Sequence, residues 1–403
     1  MRLQRRGTPT QAYIKYIKFL VAPSLLFTLL LFYFLPNHKS IDKTNHHLFN
    51  VSAFLDSSTA PILEPALIKK QCRTGGVEVL VGIPSAPGNL KARNAVRDSW
   101  AKHLPPKWTI FFVLGATRNT EIQNAIIEES TQYGDVYQAT HFQDSYQNLT
   151  LKTLLMLQWS HQHCQKAQHI LKIDDDVFLN APKFGEYLEC LTKAQKNLYG
   201  RYKVKTFIED DKTVIEGIKK GKIDAKCAKW KPYEHIYSFI DSKTHKYESY
   251  AFGGYLYSNV PPDRDPNSKW SLSEELYSGA TLPPFLSGTA YFLSSNLLPN
   301  LLYEARHTPI LPLEDVYLTG VLGSSRLNLR LSHVDGWSRF RPWWDDACLY
   351  TNLMTAHGLN PKKLVDITNA VIQLTPEYCD TMYYTILSNL NDVFSYISPN
   401  VRS

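Results

Sequence analysis

The sequence predicts an α/β protein whose central sheet is mainly parallel. Strand and helix patterns alternate from residue 75 to residue 180, and this alternation is typical of parallel sheets covered by helices. Three consecutive aspartates, residues 174–176, directly follow one apolar strand pattern. Ligands of open α/β sheets bind just beyond the carboxyl ends of strands, so the same stretch indicates where a site lies.

Length and charge limit the class of protein. The 403 residues, 44% hydrophobic and 20% charged, allow one large domain or two smaller ones. Five of the seven net positive charges come from residues 2–18, which contain no acid, so the rest of the chain carries only +2. This balance argues against nucleic acid as a partner, because binding nucleic acid requires a basic face on the folded domain.

An uncharged apolar run, FLVAPSLLFTLLLFYFL, occupies residues 19–35 and predicts one short transmembrane signal anchor. By the positive-inside rule, the basic residues before it place residues 1–18 in the cytosol and the rest of the chain in the lumen. A cleaved signal peptide is the alternative, although no Ala-x-Ala site follows the run. A span this short suits the thinner membranes of the early secretory pathway.

The luminal part is expected to begin with a stem. Residues 36–74 show no sustained helix or strand period, so the folded domain is expected at residues 75–403. Sequons at Asn50 and Asn148 predict N-glycosylation. Six cysteines in an oxidising compartment predict disulfides of undetermined pairing. No Cys-x-x-Cys pair occurs, so zinc is not expected.

The elements of the domain are predicted in order from its hydrophobic periods. Strands are expected at residues 77–83, 109–114 and 135–137 and in the run that ends at residue 173, with helices at 90–100, at 121–133 and after residue 146. In the last of these helices, four apolar residues recur on one side, namely Leu151, Leu154, Leu155 and Trp159. That side is therefore expected to face the core.

Two groups of charged residues suggest binding. Arg93 and Arg97 lie four residues apart on one helix face, where they could clamp a phosphate or carboxylate or simply form a solvated surface. Asp174, Asp175 and Asp176 repel one another unless a divalent cation or a cluster of donors neutralises them. The alternative for the aspartates is an acidic turn that hydrogen-bonds its own backbone.

Six segments in a fixed order carry a family resemblance. They are RNAVRDSW at 93–100, FVLG at 112–115, DSYQNLTLKT at 144–153, KIDDDVF at 172–178, SGTAY at 287–291 and EDVY at 314–317. The series resembles the β-1,3-galactosyltransferase family, which includes β-1,3-N-acetylglucosaminyltransferases. The resemblance extends from about residue 77 to the segment near Cys379.

The resemblance implies a hexosyltransferase with the GT-A fold, a Rossmann-like nucleotide-sugar-binding domain. Such an enzyme transfers galactose or an N-acetylhexosamine from a UDP-sugar to a glycan on a glycolipid or glycoprotein, with inversion. It also implies a single-pass type II Golgi membrane protein that uses Mn²⁺ or another divalent cation. The alternative is a membrane-anchored carbohydrate-binding protein that kept the fold and lost catalysis.

The same resemblance assigns roles to individual residues. Asp176 and Asp174 would bind the metal, and His333 could complete its ligands, although a lone histidine is more often structural. Nucleotide-sugar binding falls to the following residues: Arg93, Arg97, Lys152, Asp174, Asp175 and Gly288. Gly288 would let the backbone approach a bound sugar closely.

Acceptor binding and proton transfer fall to residues nearer the C-terminus. Trp270 offers an apolar platform for a sugar ring, with a buried structural tryptophan as the alternative. Asp315 is the expected catalytic base, with Glu314 second, because inversion requires a carboxylate to deprotonate the acceptor hydroxyl. Both acids also suit the start of a helix, which is the structural alternative.

The chain departs from the family pattern at two places. Leu286 stands where many relatives have a cysteine, so a disulfide common in the family is absent or rearranged here. A Lys-rich insertion occupies residues 201–250. It is expected to be an exposed, partly disordered loop, with an acceptor-recognition or lid element as the alternative.

Overall fold

The computed structural model describes residues 50–57, 61–201, 225–240, 247–374 and Cys379. The strands are β1 Val79–Pro84, β2 Trp108–Ala116, β3 Val136–Gln143, β4 His169–Ile173, β5 Phe178–Leu179, β6 Tyr237–Ile240, β7 Tyr247–Tyr250, β8 Phe252–Tyr257, β9 Phe285–Ser294, β10 Ser332–His333 and β11 Thr355–Ala356. The helices are α1 Val51–Ser57, α2 Ala66–Thr74, α3 Leu90–Asp98, α4 Thr120–Tyr133, α5 Leu149–His163, α6 Ala181–Arg201, α7 Ala225–Ala228, α8 Leu298–His307, α9 Ala347–Thr351 and α10 Pro361–Gln373, with a π-helix at Val316–Arg326.

A seven-stranded sheet in the order β10-β8-β9-β4-β1-β2-β3 forms the centre of the fold. Strand β1 pairs in parallel with β2 and β4, and β2 pairs in parallel with β3. The predicted alternation of strands and helices is therefore confirmed for this half of the sheet. Strand β9 is antiparallel to both β4 and β8, which makes the complete sheet mixed.

Helices cover both faces of the sheet, so every residue of β1 is buried. On one face Leu80 belongs to the same apolar cluster as Leu154 and Trp159 of α5. On the other face lie helices α3, α6 and α10. A Cβ atom at Gly82 would meet Met156 Sδ at 2.2 Å, so α5 can pack this closely only over a glycine. The core-facing side predicted for α5 is correct.

The folded part begins before Gly75, which corrects the predicted boundary of the stem. Helix α1 buries Val51, Phe54 and Leu55, and helix α2 buries Ile68. A disulfide joins Cys72 of α2 to Cys164 at the end of α5. The sequence shows no sustained period before residue 75, because the apolar residues there are divided between two short helices of 7 and 9 residues.

The insertion is anchored where the structure describes it. Helix α7 is joined to α6 by the disulfide Cys190–Cys227, and Trp230 is buried beside it. The Tyr187 hydroxyl lies 2.9 Å from His235 Nδ1, and β6 and β7 form an antiparallel hairpin. The expected exposed loop is therefore wrong for these residues, because a covalent link and ring packing hold them to α6.

Several predictions concern residues that the structure leaves undescribed. The cytosolic tail 1–18, the span 19–35 and residues 36–49 and 58–60 of the stem fall among them, as do residues 202–224 and 241–246 of the insertion. In the described ranges, no helix is both long enough and apolar enough to cross a membrane.

Candidate functional site

The candidate site lies where two neighbouring parallel strands end. Ser85 follows β1, and Asp174 follows β4. The backbone N–H of Asp174 donates to the Thr289 carbonyl of β9 at 3.0 Å, which fixes the start of the turn. Strand β1 has β2 on one side and β4 on the other, and crevices at such a reversal of strand order hold ligands in open sheets.

The three consecutive aspartates face three different partners. Asp174 accepts from Lys172 Nζ at 2.6 Å, and Asp175 accepts from the Ser85 hydroxyl at 2.6 Å. Asp176 Oδ2 lies 3.4 Å from His357 Nε2. The triplet is therefore more than an acidic turn, since the side chains of Asp175 and Asp176 contact elements distant in sequence.

Asp174, Asp176 and His357 form a candidate metal centre. One ligand atom from each lies within 4.8 Å of the others. Burial raises the pKa of Asp176 to about 6, and the Asp174 and Asp175 charges add to that effect against the opposing influence of His357. Two carboxylates and an imidazole fit a divalent cation such as Mn²⁺, whose charge would favour the ionised aspartates.

His333, the histidine ligand that the family resemblance suggested, lies outside the candidate cluster of Asp174, Asp176 and His357. His333 belongs to the edge strand β10, where its Nδ1 accepts from the Leu256 N–H at 3.3 Å and its ring contacts Tyr255. His357 follows β11, which pairs with β5 just after the triplet. No spacing signal marks His357, because strand pairing alone brings it to Asp176.

The Glu314–Asp315 pair opens the π-helix, and its two side chains diverge. Asp315 Oδ2 accepts from the Gly288 N–H at 2.8 Å, and Oδ1 accepts from the Val316 N–H at 2.9 Å. Burial raises the pKa of Asp315, and these two donors oppose the shift. A Cβ atom at Gly288 would lie 3.1 Å from Asp315 Oδ2, so a glycine there permits the close approach.

Glu314 faces the core instead of the crevice. It is 3% exposed, and its Oε1 accepts from the Tyr291 hydroxyl at 2.6 Å. Burial raises the pKa of Glu314 to about 7 despite the opposing charge of Lys172. Of the two acids, Asp315 is the one that faces Gly288 beside the aspartate triplet.

Lys172 connects the two groups of carboxylates, a role that the sequence did not indicate. Its fully buried Nζ contacts Asp174, lies 3.6 Å from Glu314 Oε2 and donates to the Gly288 carbonyl. The Lys172 ammonium group therefore links the candidate metal centre to the Gly288 backbone and to the Glu314 side chain.

Arg93 and Arg97 form neither a phosphate clamp nor a solvated surface. Arg93 is fully buried, and its Nη2 donates to Glu129 at 2.7 Å while Nη1 donates to the Ser85 hydroxyl at 3.2 Å. Arg97 pairs with both Glu129 and Asp135 at 2.7 Å. Carboxylates distant in sequence occupy these guanidiniums. Arg93 contacts the Ser85 turn directly, and Arg97 shares Glu129 with Arg93.

Lys152 also supports that turn. Its buried Nζ pairs with Asp144 at 2.7 Å and donates to the Ser85 carbonyl at 2.9 Å. Burial lowers the pKa of Lys152, and Asp144 opposes the shift. The structure thus joins Lys152 to Ser85, which in turn binds Asp175.

A cavity of about 790 Å³ adjoins the candidate metal centre. Asp175 and Asp176 line one side, and residues 88–92 and 358–361 line the rest. Helices α3 and α10 begin within these two segments. Helix N-termini present unpaired N–H groups and positive dipole ends, so the cavity combines donors for anionic or polar groups with the metal ligands.

Trp270 is 44% exposed, which excludes the buried alternative. Its side chain lies near the Tyr146 hydroxyl. Burial raises the pKa of Tyr146 to about 12, with further contributions from the charges of Asp315 and Asp174. Tyr146, and not Trp270 itself, is the residue on which the charges of Asp315 and Asp174 act.

The two predicted glycosylation sequons differ in their surroundings. Asn50 is exposed, and its Oδ1 accepts from the Ala53 N–H at 2.9 Å at the start of α1. Asn148 is half-buried and donates through Nδ2 to the Gln143 carbonyl at 2.8 Å. The third residue of that sequon, Thr150, is fully buried. In the folded protein the Asn50 site is the more accessible.

Comparison with known proteins identifies the family that this chain matches. The model of the galactosyltransferase family matches residues 91–240 and 233–334. The chain is similar to beta-1,3-galactosyltransferase 4 of Rattus norvegicus, with 32% identity over 294 residues that cover 71% of this chain and 70% of that protein. It is 27% identical to beta-1,3-galactosyltransferase 5 of Homo sapiens over 313 residues, 76% of this chain and 83% of that protein. Among solved structures, the apo WbbM bifunctional glycosyltransferase matches with a TM-score of 0.34 and 9% identity, over 78% of this chain and 51% of that one.

Proposed function

This chain belongs to the galactosyltransferase family, and from that premise we propose that it is a β-1,3-galactosyltransferase. It transfers galactose from UDP-galactose to a hydroxyl of a glycan acceptor, with inversion at the anomeric carbon. Galactose is preferred over an N-acetylhexosamine because the similar curated proteins are named galactosyltransferases.

The observation that carries the proposal is the position of Asp315. Two backbone N–H groups hold its carboxylate at Gly288, and Lys172 links the Gly288 carbonyl to Asp174 of the candidate metal centre. An inverting displacement needs a base on one face of the donor sugar and a stabilised leaving group on the other. Asp315 serves as that base and deprotonates the acceptor hydroxyl.

The donor occupies the cavity beside Asp175. Its nucleotide contacts residues 88–92 and 358–361, and its diphosphate lies towards Asp174, Asp176 and His357. A divalent cation held by these three residues would neutralise the diphosphate as UDP leaves. Gly288 lines the sugar end. Arg93 and Lys152 act indirectly by holding the Ser85 turn, and Arg97 acts through Glu129, which it shares with Arg93.

The cellular setting is part of the proposal. The basic tail and the apolar run at residues 1–35 support a single-pass type II protein of the Golgi membrane, with its catalytic domain in the lumen. The three disulfides among the described residues suit an oxidising compartment.

An inactive carbohydrate-binding protein of the same fold is the second candidate. It is less favoured because Asp315 retains its hydrogen-bonded position beside the metal ligands, and binding alone needs no base. Release of UDP from UDP-galactose in the presence of an acceptor glycan array separates the two functions.

The test of the proposal is metal-dependent UDP binding. We expect calorimetric titration to show UDP binding with Mn²⁺ and little binding after chelation. Asp176→Asn and His357→Ala should each weaken the Mn²⁺-dependent binding of UDP, whereas His333→Ala should leave it unchanged. Full binding or transfer in chelator would contradict the metal site.

A further inference from the structure

Arg339 is an arginine without a carboxylate partner near the proposed base. It is half-buried, and its guanidinium carbon lies 4.8 Å from the ring centroid of Tyr257, 5.1 Å from that of Tyr255 and 4.7 Å from that of Phe340. Its Nη1 donates to the Tyr257 hydroxyl. Within the described part of the chain, Arg339 makes no ion pair.

Tyr257 connects this arginine to the site. Its ring stacks on Phe285 with centroids 4.9 Å apart, and Phe285 begins β9, three residues before Gly288. Burial raises the pKa of the Tyr257 hydroxyl, and the charge of Asp315 adds to that effect while Arg339 opposes it. The charges of Arg339 and Asp315 therefore both act on the Tyr257 hydroxyl.

The other half-buried and buried arginines near the site are neutralised. Arg93 and Arg97 each form ion pairs with carboxylates. A partly desolvated guanidinium favours a carboxylate or another planar oxyanion, which it can bind through two parallel hydrogen bonds. The three rings and the Tyr257 hydroxyl already hold Arg339, so binding an anion there costs little side-chain entropy.

We propose that Arg339 and Tyr257 form an anion-binding subsite for the acceptor, so that the preferred acceptor glycan carries a carboxylate or sulfate group. This inference rests on the proposed function, because it takes Asp315 to mark the place of the acceptor hydroxyl. Under this inference, the acceptors are acidic glycans and not glycans in general.

The test compares matched neutral and anionic glycosides. Methyl β-glucoside is paired with methyl β-glucuronide, and methyl β-galactoside with its 6-sulfate, each titrated into the full-length protein in detergent with UDP and Mn²⁺. We expect the anionic member of at least one pair to bind about tenfold more tightly, as one charge-assisted bidentate contact would give. The pair that shows the preference identifies carboxylate or sulfate as the recognised group.

Variants assign the preference to Arg339. Arg339→Gln should abolish it, Arg339→Lys should retain part of it, and Arg341→Gln should leave it intact because exposed Arg341 already pairs with Asp345. Equal binding within both pairs, a preference that survives Arg339→Gln, or no binding of either anionic glycoside would overturn the proposal. Parallel titration of UDP reports on the proposed function separately.

Discussion

At the scale of single residues, function follows from which atoms a side chain reaches and not from its position in the sequence. Glu314 and Asp315 are adjacent, yet Glu314 faces Tyr291 in the core and Asp315 faces Gly288 in the crevice. The two acids therefore differ in burial and in hydrogen-bond donors. That difference gives distinct expectations for their variants.

Asp315→Asn should lower kcat by about two to four orders of magnitude, since the amide keeps the size of the side chain and loses its basicity. UDP affinity should stay close to that of the wild type, because Asp315 is not among the candidate metal ligands. The measurement is steady-state transfer together with UDP titration.

Glu314→Gln is the matched control for that variant and should lower kcat much less. Its amide can still accept from the Tyr291 hydroxyl. If Glu314→Gln were inactive while Asp315→Asn kept its turnover, the roles of the two acids would be reversed.

Lys172→Met should destabilise the fold by roughly 3–5 kcal/mol, because it leaves buried Glu314 without its neighbouring cation. Adding Glu314→Gln should recover part of that loss by removing the uncompensated charge. Urea unfolding of the single and double variants measures both effects.

Lys107→Met is a suitable comparison, since its ion pair with Glu78 is mostly exposed and should be worth at most about 1 kcal/mol. For the Lys172→Met and Glu314→Gln pair, the changes in the free energy of unfolding could instead simply add in the double variant. That result would show that the two side chains do not interact.

At the scale of elements, the π-helix and the anchored insertion are the two unusual features. The π-helix Val316–Arg326 begins directly after the proposed base, and the Thr319 hydroxyl donates to the Asp315 carbonyl at 2.7 Å. π-Helices are rare, occur mostly as single turns, and are frequent at functional sites. In the insertion, the unusual feature is the disulfide Cys190–Cys227, which holds a lysine-rich segment against helix α6.

Replacing Cys190 and Cys227 by serine should release the described part of the insertion from α6. Loss of this cross-link should cost about 2–4 kcal/mol and should make the bonds after Lys226 and Lys229 sensitive to trypsin. Limited proteolysis with mass spectrometry checks this, with the unreplaced protein as the reference. An unchanged cleavage pattern would mean that the packing of Tyr187, Trp230 and His235 alone holds the segment.

At the scale of the whole molecule, two apolar layers enclose the sheet, and the N-terminal helices complete one of them. Val51, Phe54, Leu55 and Ile68 belong to the same cluster as α5 and the sheet. The disulfide Cys72–Cys164 fixes α2 to that layer. Removal of this segment would therefore expose a continuous apolar surface and leave Cys164 as a free thiol.

A chain that begins at residue 50, placed behind a cleavable signal, should be secreted and should unfold cooperatively. A chain that begins at residue 75 should be retained or aggregate, because each lost buried apolar side chain contributes about 1.5–3 kcal/mol. Secretion yield and thermal unfolding distinguish the two chains. Equal secretion and equal Tm of the two chains would show that the folded domain begins at residue 75, as the sequence predicted.

The sequence by itself determined the parts that depend on local periodicity. Alternating apolar patterns predicted strands β1, β2 and β4 and helices α3, α4 and α5 close to their bounds, because side chains facing a core must recur with the period of their element. The position of Asp174 at a strand end followed in the same way. The ordered family segments indicated the remaining candidate carboxylates.

Only the tertiary structure decided which residues meet. Pairing of β11 with β5 brings His357 to Asp176, whereas His333 lies on an edge strand. Arg93 has the right charge and spacing for a ligand clamp, but Glu129, 36 residues later, takes its donors. Such contacts join elements far apart in the chain, and a periodic pattern contains no information about them, since it records only the orientation of a side chain relative to its own helix or strand.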